Sequence, residues 1–491
     1  MGQGENRRFY EIFKSKDVRY DGRIFVGVSS TGIYCRPTCK AKLPRAENCS
    51  YYATAAEAEK AGYRPCLVCR PELAPGNSRS DAMDTIARRA KLLLEENAGV
   101  KQPVAETAAA LQVSDRHLRR AFQAACHVSP IEYLQTYRLL LAKNLLTETS
   151  LSITDIAFAS GFGSITRFNT LFKDHYRITP GEFRKNSARR KNRQITVKIG
   201  YRPPYAYDAI FRFLQERRIP GVEKAEGGIY SRTIRVQKDG RPVCGIMTVS
   251  NDEKHSALDL TVSEDLLCAL SQVIGKVKKL FDLYCDPYAV YDTLEGFEKV
   301  LPGAFRMGLR IPGSVDDFEI CVRAIVGQPI SVRAACTLLK HLADAFGQST
   351  RSDAGLPHLF LTAEDILSIP EDIAAALGPL GIPRRKANAI QAAAALIAGE
   401  KTDFGSCNAP KEAMAKLLRI KGIGPWTARY IAMRAMNDTD VLLDSDHEMA
   451  RLLSLHRLTA ADMEPFRPWQ SYLTAGLWEL GREENEKAFR S

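Results

Sequence analysis

The sequence predicts a multidomain protein that is mainly α-helical and has α+β parts. Three observations lead to this prediction. A chain of 491 residues is too long for one hydrophobic core. Alternation of apolar and polar residues, which is typical of strands, is confined to residues 1–75 and 194–262. Elsewhere apolar residues recur at helical spacing, and a composition of 45% hydrophobic and 26% charged residues is that of a globular protein.

Shifts in composition divide the chain into four predicted domains, at residues 1–76, 81–186, 194–305 and 306–491. The Pro/Gly/Ser-rich stretch ELAPGNSRSD is a predicted linker, and the basic polar stretch RKNSARRKNR (184–193) is a predicted tether. In the third domain a helix at 205–217 precedes strands within TIRVQ, PVCGIMTV and SALDLTV, which indicates an antiparallel sheet. Residues 264–491 have almost entirely helical periodicity.

The net charge of +12 is unevenly distributed. Residues 1–195 contain 32 Lys/Arg and 19 Asp/Glu, a net charge of +13, whereas the remainder contains 37 and 38, a net charge of −1. Such asymmetry favours a phosphate-bearing partner such as nucleic acid, although a basic surface that serves only solubility is the plain alternative. The chain has neither a secretory signal nor a run of about 18 apolar residues, which predicts a cytoplasmic protein without a membrane partner.

Four cysteines form two close pairs, Cys35/Cys39 and Cys66/Cys69. A disulfide framework is disfavoured because cytosolic thiols are kept reduced. Two chelating pairs are the donor set of a tetrahedral zinc site, and a purely structural zinc is the plain alternative to a reactive one. The other cysteines lack paired spacing and are predicted to be small buried apolar residues: Cys49, Cys126, Cys244, Cys268, Cys285, Cys321, Cys336 and Cys407.

The stretch FVGVSSTGIYCRPTCKAKLPRAENCSYYATAAEAEKAGYRPCLVCRPE closely resembles the N-terminal domain of the Ada adaptive-response proteins, and the match covers residues 9–72. The resemblance implies that Cys35 accepts a methyl group irreversibly from a methylphosphotriester in damaged DNA. Converting one thiolate to a thioether removes one negative charge, which would weaken repulsion of DNA phosphate. The basic residues around the cysteines are candidate phosphate contacts, with solvated surface charges as the plain alternative: Arg36, Lys40, Lys42 and Arg45.

Residues 103–183 contain two similar helix–turn–helix patterns. The first turns at Val113–Ser114, the second at Gly161, and the helix after the second turn starts at Ser164. The motif IAFASGFGSITRFNTLFK resembles the AraC-type DNA-binding domain, which implies promoter DNA and RNA polymerase as partners; an unrelated helical bundle is the alternative. The polar residues expected to face DNA are Arg116, His117, Arg119 and Arg120 in the first unit, and Thr166, Arg167, Asn169 and Lys173 in the second.

The stretch LLRIKGIGPWTARYIAMRA predicts a helix, a hairpin with Gly422 and Gly424, and a second helix. Glycines allow positive φ angles and close approach of a phosphate to backbone N–H groups. Asp446 follows in DVLLDSDHEMAR. Together with RIPGSVDDFEICVRAIVGQPISV and RPWQSYLTAGLW, this arrangement resembles the AlkA branch of helix–hairpin–helix DNA glycosylases, 3-methyladenine DNA glycosylase II, over residues 195–480.

The resemblance implies roles for individual residues. Asp446 would be the catalytic carboxylate, with Asp444 as the second candidate and helix capping as the plain role for either. Trp426, Tyr430 and Trp478 would form the base pocket, with core packing as their alternative. Gly422, Gly424, Gln328 and Pro329 would contact DNA, and Pro329 occupies the wedge position where the best-known relative has leucine. Trp426 replaces the lysine nucleophile of bifunctional relatives, which predicts a monofunctional enzyme, and no four-cysteine iron–sulfur loop follows.

The sequence therefore predicts a cytoplasmic, nucleoid-associated bacterial protein that senses alkylation damage at Cys35, activates repair genes and excises alkylated bases. It lacks the Pro-Cys-His-Arg motif of O6-alkylguanine methyltransferases, so O6-methylguanine repair is not expected. Two alternatives remain: a transcription regulator with a structural zinc and an inactive glycosylase-like part, or a repair enzyme whose zinc domain only targets DNA. A monomer that binds one zinc and double-stranded DNA is expected.

Overall fold

The computed structural model describes residues 3–75, 85–186, 195–350, 355–370, 372–400 and 410–490. The α-helices are α1 (Gln3–Ser15), α2 (Ala55–Lys60), α3 (Thr85–Glu96), α4 (Pro103–Ala110), α5 (Asp115–Cys126), α6 (Pro130–Glu148), α7 (Ile153–Ala159), α8 (Ile165–Tyr176), α9 (Pro180–Asn186), α10 (Tyr207–Glu216), α11 (Leu270–Leu280), α12 (Pro287–Val300), α13 (Asp317–Val326), α14 (Val332–Phe346), α15 (Ala363–Leu367), α16 (Ile373–Leu377), α17 (Arg384–Glu400), α18 (Pro410–Leu418), α19 (Pro425–Ala435), α20 (His447–Leu455) and α21 (Gln470–Arg490). The strands are β1 (Phe25–Val28), β2 (Ile33–Cys35), β3 (Cys49–Tyr52), β4 (Arg64–Pro65), β5 (Ile195–Gly200), β6 (Glu223–Glu226), β7 (Ile229–Lys238), β8 (Arg241–Asp252) and β9 (Ala257–Val262).

The chain divides into two compact units. Unit 1 comprises Met1–Pro203, Arg235–Lys278 and Leu283–Asp286, and unit 2 comprises Pro204–Ile234, Lys279–Asp282 and Pro287–Ser491. The boundaries of the four predicted domains stay predictions. Most of the predicted tether and the second half of the predicted linker lie outside the described residues, while the described start of the tether, 184–186, belongs to α9. Within the described residues no helix has both the length and the hydropathy needed to cross a membrane.

Residues 3–75 of unit 1, called the cysteine module below, fold around a four-stranded sheet in the order β3-β1-β2-β4. Strand β1 pairs antiparallel with β2 and β3, whereas β4 runs parallel to β2. Tyr34 of β2 lies opposite Pro65 of β4. This register places Cys35 at the end of one strand beside Cys66, the residue that follows the other.

Residues 85–186, called the helix–turn–helix module below, contain the pairs α4–α5 and α7–α8. The second helix of each pair starts at a serine cap, because Ser114 Oγ and Ser164 Oγ accept backbone N–H groups of the first turn. Gly161 has φ +90°, and a Cβ there would lie 2.3 Å from the Ala98 carbonyl oxygen, so the turn requires glycine. The predicted double helix–turn–helix architecture is confirmed.

A second, five-stranded sheet has the order β5-β9-β8-β7-β6. The pairs β5–β9 and β8–β9 are antiparallel, and Val197 and Val249 flank Leu260 from the two sides. All three side chains are buried, so this face of the sheet packs into a core. The sheet confirms the antiparallel α+β part of the predicted fold class, and α10 lies within the predicted helix.

The prediction that the unpaired cysteines are buried holds for three of them. Cys126, Cys285 and Cys321 are buried. The prediction is wrong for Cys268, which is exposed because it lies in a surface turn after β9, with its thiol directed to the Asp265 carbonyl. Cys49, Cys244 and Cys336 are half-buried, and Cys407 lies outside the described residues.

A four-cysteine centre and an aromatic cleft

The four paired cysteines converge in the cysteine module. The sulfur atoms of Cys35, Cys39, Cys66 and Cys69 all lie within 4.8 Å of one another. Zinc–sulfur bonds of about 2.3 Å place tetrahedral sulfur ligands about 3.8 Å apart, so this spacing fits a single zinc ion. Three of the four side chains are buried and Cys69 is half-buried.

Backbone N–H groups point at two of these sulfurs. The Arg36 N–H donates to Cys69 Sγ at 3.3 Å, and the Val68 N–H donates to Cys66 Sγ at 3.4 Å. Such bonds favour the thiolate form and fix the orientation of the ligands. The centre is therefore built for anionic sulfur.

Arg36 does not face the solvent as the predicted phosphate contact. Its guanidinium is buried against the Asp21 carboxylate, with Nε 2.8 Å from Oδ1, and Nη1 donates to the Cys69 carbonyl at 3.3 Å. The prediction for Arg36 is wrong because the adjacent carboxylate draws the side chain inward, where it braces the cysteine centre. Lys40, Lys42 and Arg45 are exposed, as phosphate contacts require.

The candidate DNA-facing residues of the helix–turn–helix module lie in the first halves of α5 and α8, except Lys173, which lies in the last turn of α8. Arg116, Arg119, Arg120, Thr166, Arg167, Asn169 and Lys173 are exposed, and His117 is half-buried. Arg119 Nε lies 2.7 Å from Asp115 Oδ2, so part of its charge is neutralised in the free protein. The structure thus brings the predicted residues other than Lys173 to the first halves of two helices, and base-reading side chains lie near helix starts in such motifs.

In unit 2 the predicted hairpin joins α18 to α19. Gly422 has φ +108°, which disfavours any side chain there, whereas Gly424 has φ −94° and open space around its missing Cβ. Gly424 is also the N-cap of α19 and has no side chain to accept the first N–H groups. The helix start is consequently open to an anion such as a phosphate.

Asp446 lies between two indole rings at the start of α20. Its Oδ2 accepts from Trp426 Nε1 at 3.3 Å, and its Oδ1 accepts from Trp478 Nε1 at 3.0 Å. Oδ1 also caps α20 by accepting the backbone N–H groups of Glu448 and Met449. Asp444, the second candidate, instead forms an ion pair with Arg429 at 2.8 Å.

The three predicted pocket aromatics lie together in a cleft of about 1360 Å³. The rings of Trp426 and Tyr430 are stacked with centroids 5.3 Å apart, and the ring of Trp478 lies 6.4 Å from that of Tyr430. Asp446 and Pro329 also line this cleft. A flat base could therefore enter between aromatic faces and a carboxylate.

Phe213 completes the aromatic wall and was not anticipated from the sequence. Its ring stacks on Trp478 at 6.0 Å, and the guanidinium of Arg217 lies 3.9 Å from its centroid. Arg434 donates to the Tyr430 hydroxyl at 2.5 Å, and burial lowers its pKa. Phe213 lies on α10, whose aromatic residues have the spacing of an ordinary core helix. Its place in the cleft wall is therefore shown only by its contact with Trp478.

A buried charge network also lines the cleft. Glu319 Oε2 lies 2.6 Å from Arg232 Nη2 and its Oε1 lies 2.8 Å from Arg323 Nη2, while Glu223 bridges the same two arginines. Burial opposes ionisation of Glu319, but the two guanidinium charges prevail and lower its pKa to about 2. This network holds α13 and β7 in place with every charge paired.

The loop between α13 and α14 presents an exposed apolar edge beside the hairpin. Pro329 and Ile330 are exposed at this edge. Gln328 Nε2 donates to the Gly422 carbonyl at 3.0 Å and to Thr427 Oγ1 at 2.7 Å, so its amide holds the loop to the hairpin. Lys386 Nζ donates to the carbonyl of Val326, the last residue of α13, and to the carbonyl of Gln328 in the loop.

Four known protein families match this chain. Residues 8–72 match the metal binding domain of Ada, and residues 107–186 match a helix-turn-helix domain. Residues 196–316 match the AlkA N-terminal domain, and residues 322–466 match the HhH-GPD superfamily of base excision DNA repair proteins. The metal of the four-cysteine centre is zinc.

Similar proteins combine or separate these parts. A probable bifunctional transcriptional activator/DNA repair enzyme AlkA of Mycobacterium tuberculosis H37Rv is 32% identical over 486 residues, covering 96% of this chain and 95% of that protein. DNA-3-methyladenine glycosylase 2 of Escherichia coli K12 is 31% identical over 287 residues, covering 57% of this chain and 95% of that protein. The bifunctional transcriptional activator/DNA repair enzyme AdaA of Bacillus subtilis 168 is 33% identical over 180 residues, covering 36% of this chain and 82% of that protein.

The match to the mycobacterial protein spans nearly all of both chains, and all four family matches occur in one polypeptide. The chain belongs to the Ada/AlkA family of bifunctional transcriptional activators and DNA repair enzymes with a DNA glycosylase domain.

Proposed function

We propose that this protein accepts a methyl group from a DNA methylphosphotriester on Cys35, activates transcription in that state, and excises 3-methyladenine-type bases with Asp446. The observation that carries the excision half is the Asp446 carboxylate held between the Trp426 and Trp478 indoles in the cleft. The observation that supports the sensing half is the convergence of four sulfurs around Cys35.

Bound zinc would keep all four cysteine sulfurs deprotonated at neutral pH. Cys35 Sγ would then attack the methyl carbon of the phosphotriester: the sulfur–carbon bond forms, the carbon–oxygen bond breaks, and the phosphodiester leaves as an anion. Cys35 lies at the end of β2, in register with the neighbouring strands. We expect no step that reverses the thioether, so each molecule would react once.

Methyl transfer would act as the switch because it removes one negative charge from the cysteine centre. Lys42 and Arg45 are exposed near this centre and would then attract DNA phosphate with less opposition. The helix–turn–helix module would add base and phosphate contacts through Arg116, His117, Arg120, Thr166, Arg167 and Asn169. RNA polymerase is the partner that an activator of this type would engage, and we expect a monomer.

Base excision would begin with a nucleotide turned out of the duplex into the cleft. The hairpin start at Gly424 would hold a phosphate, while Pro329 would fill the vacated stack as an apolar wedge. An alkylated cationic purine would stack on the electron-rich faces of Trp426 and Tyr430. These aromatic faces would favour a flat, positively charged base.

Asp446 would stabilise the positive charge that develops on the sugar as the N-glycosidic bond breaks. The base leaves with the bonding electrons, and water adds to C1′ with loss of a proton to give an abasic site. The two indole N–H donors would keep the carboxylate oriented toward the cleft. Because Trp426 occupies the position of the lysine nucleophile, strand cleavage through a Schiff base is not expected.

A single assay tests both halves. A duplex labelled with radioactive methyl groups, on bases and on backbone phosphotriesters, is mixed with the protein, and released base and labelled protein are both measured. We expect both signals, with loss of protein labelling in Cys35→Ser and retention in Cys49→Ser, a half-buried cysteine outside the four-sulfur set. Base release without protein labelling would indicate a repair enzyme whose zinc only targets DNA. Labelling without base release would indicate a regulator with an inactive glycosylase part.

A further inference from the structure

Within unit 1, one buried carboxylate connects the cysteine module to the helix–turn–helix module. Glu59 on α2 is 7% exposed, and Tyr34 Oη donates to its Oε1 at 3.0 Å. Thr136 Oγ1 of α6 donates to Oε2 at 2.9 Å, and His175 Nδ1 of α8 lies 3.4 Å from the same oxygen. Tyr34 directly precedes Cys35, so this carboxylate joins the strand of the methyl acceptor to a predicted recognition helix.

A second buried cluster makes the same connection from another zinc ligand. Arg70 directly follows Cys69 and its Nε lies 2.9 Å from Glu72. Arg70 also pairs with Glu148 at the end of α6, and Lys143 of α6 pairs with Glu72. The side chains of Glu72, Lys143 and Glu148 are each at most 4% exposed.

Both connections resist separation. A buried carboxylate that loses its partner remains desolvated without a compensating interaction, which is energetically unfavourable. Each of the two connections therefore favours the docked arrangement of the two modules. The ion pair between Lys60 and Glu132, which also joins α2 to α6, is different because both side chains are about half exposed. Solvent screens such a pair and leaves it little influence.

The docking leaves the DNA-facing side of α8 free. Thr166, Arg167 and Asn169 are exposed in its first half, whereas Tyr176 is buried at its last turn beside His175. One helix can therefore face DNA at its start while its end is held by the cysteine module. A shift of Glu59 would reach the recognition helix without passing through DNA.

We propose that Glu59 and the Arg70–Glu72–Lys143–Glu148 cluster couple the cysteine centre to the helix–turn–helix module, so that methyl transfer to Cys35 changes the conformational stability of α6 and α8 directly. This inference rests on the proposed methyl-acceptor function. It goes beyond a local change of charge, because it assigns the signal a path through named protein contacts. By linkage, methylation and DNA binding by α8 would favour each other by the same factor.

Hydrogen exchange of the full-length, zinc-loaded protein tests this coupling. The protein is reacted with a duplex carrying backbone methylphosphotriesters, the DNA is removed by nuclease digestion and repurification, and methylation of Cys35 is scored by mass. We expect exchange rates of amides in α6 and α8 to change by about fivefold or more after methylation. In Glu59→Gln, Cys35 should be methylated equally while the change in α8, where Glu59 contacts His175, disappears.

A matched control and a second disruption make the result specific. Lys60→Gln removes the exposed neighbouring pair and should respond like the unaltered protein. Should Glu59→Gln fail to fold, the double variant Thr136→Val/His175→Gln removes the donors of the helix–turn–helix module and should abolish the same response.

The experiment distinguishes a failure of the proposed coupling from a failure of the methyl-acceptor function. Methylated Cys35 with unchanged exchange in α6 and α8 would overturn the coupling and leave the acceptor function intact. A full response that persists in both Glu59→Gln and the double variant would also overturn it. If Cys35 gains no methyl group, the acceptor function fails and the coupling fails with it.

Discussion

Asp446 combines a structural and a proposed chemical role in one side chain. Oδ1 caps α20 and accepts the Trp478 indole, while Oδ2 accepts the Trp426 indole. The nearby Asp444 instead forms an ion pair with Arg429. Two carboxylates separated by one residue thus differ in which partner they face, and this difference distinguishes the candidates.

Asp446→Asn should preserve the fold and lower the rate of base release by about 10²–10³-fold, because asparagine caps a helix but carries no negative charge. The rate of free-base release from a methylated duplex measures the effect, and thermal unfolding checks that the fold is intact. Asp444→Asn is the control: it loses one partly exposed ion pair, should cost about 1 kcal/mol or less, and should retain base release. Equal loss of activity in both variants would remove the special role of Asp446.

At the level of elements, the hairpin between α18 and α19 contains two glycines, and the physical reason for having glycine differs between the two positions. Gly422 has a positive φ angle of +108°, which residues with a side chain rarely adopt. A Cβ there would also lie 3.1 Å from Ala389 Cβ. Gly424 has ordinary φ and free space, so nothing within the described structure requires glycine there. Its requirement is expected to come from a ligand at the start of α19.

Gly422→Ala should therefore destabilise the protein by about 1–3 kcal/mol, as strain in the left-handed region predicts. Gly424→Ala should change the free energy of unfolding by about 0.5 kcal/mol or less and yet weaken binding to an abasic-site duplex several-fold, because the methyl group obstructs the phosphate. Denaturant unfolding and DNA-binding titrations separate the two effects. Unaltered DNA affinity in Gly424→Ala would exclude a phosphate at this helix start.

Helices α5 and α8 allow a similar comparison between Arg119, which has an ion pair, and Arg167, for which the described residues show none. Arg167→Ala should reduce the slope of log affinity against log salt concentration for a duplex by about 0.9, the contribution of one released counterion. Arg119→Ala should change the slope less, because Asp115 already lies 2.7 Å from its guanidinium. Titrations at several salt concentrations measure both slopes, and an unchanged slope in Arg167→Ala would place this residue off the DNA.

At the level of the whole molecule, positive charge and buried ion pairs have separate functions. Residues 1–195 have a net charge of +13, and among their described lysines and arginines Lys42, Arg45, Arg116 and Arg167 are exposed, which suits a DNA partner. The buried pairs of the same segment join the cysteine module to the helix–turn–helix module. In the sequence, the charged residues of the exposed surface and those of the buried ion pairs look alike. Only their burial in the structure distinguishes the two sets.

We expect His175 to make the stability of unit 1 depend on pH. Its hydrogen bond to Glu59 raises its pKa above 6.5 despite partial burial, and the nearby charges of Asp174 and Arg177 act in opposite directions. When folding raises the pKa of a histidine, its full stabilising contribution is present at pH values below the pKa of the unfolded state. The contribution is lost as the pH rises through the pKa of the folded state. The melting temperature of His175→Gln should fall below that of the unaltered protein more at about pH 6 than at about pH 8.5.

Solvent screening limits this contribution of His175 to about 1 kcal/mol or less, because the imidazole is partly exposed. His127→Gln removes a more exposed histidine–glutamate pair and serves as the control. An equal difference in melting temperature at both pH values would show that protonation of His175 adds nothing to stability.

Chemistry that is local in the chain could be predicted from the amino-acid order alone. The spacing of the cysteine pairs, the glycine hairpin and the two serine-capped helix starts are short-range patterns, because metal chelation, turn geometry and capping depend on residues close in sequence. The zinc followed from the cysteine spacing and the fold class from chain length and apolar periodicity, and both are confirmed. The individual site residues stay predictions that the geometry supports.

The tertiary structure decided what depends on long-range contacts. It withdrew Arg36 from the surface through Asp21, added Phe213 to the aromatic wall through Trp478, and joined Glu59 to His175 across two modules. None of these pairs has a sequence spacing that predicts contact. Burial and pairing of charges arise only when distant segments meet, and this is the physical reason that the sequence alone could not reveal them.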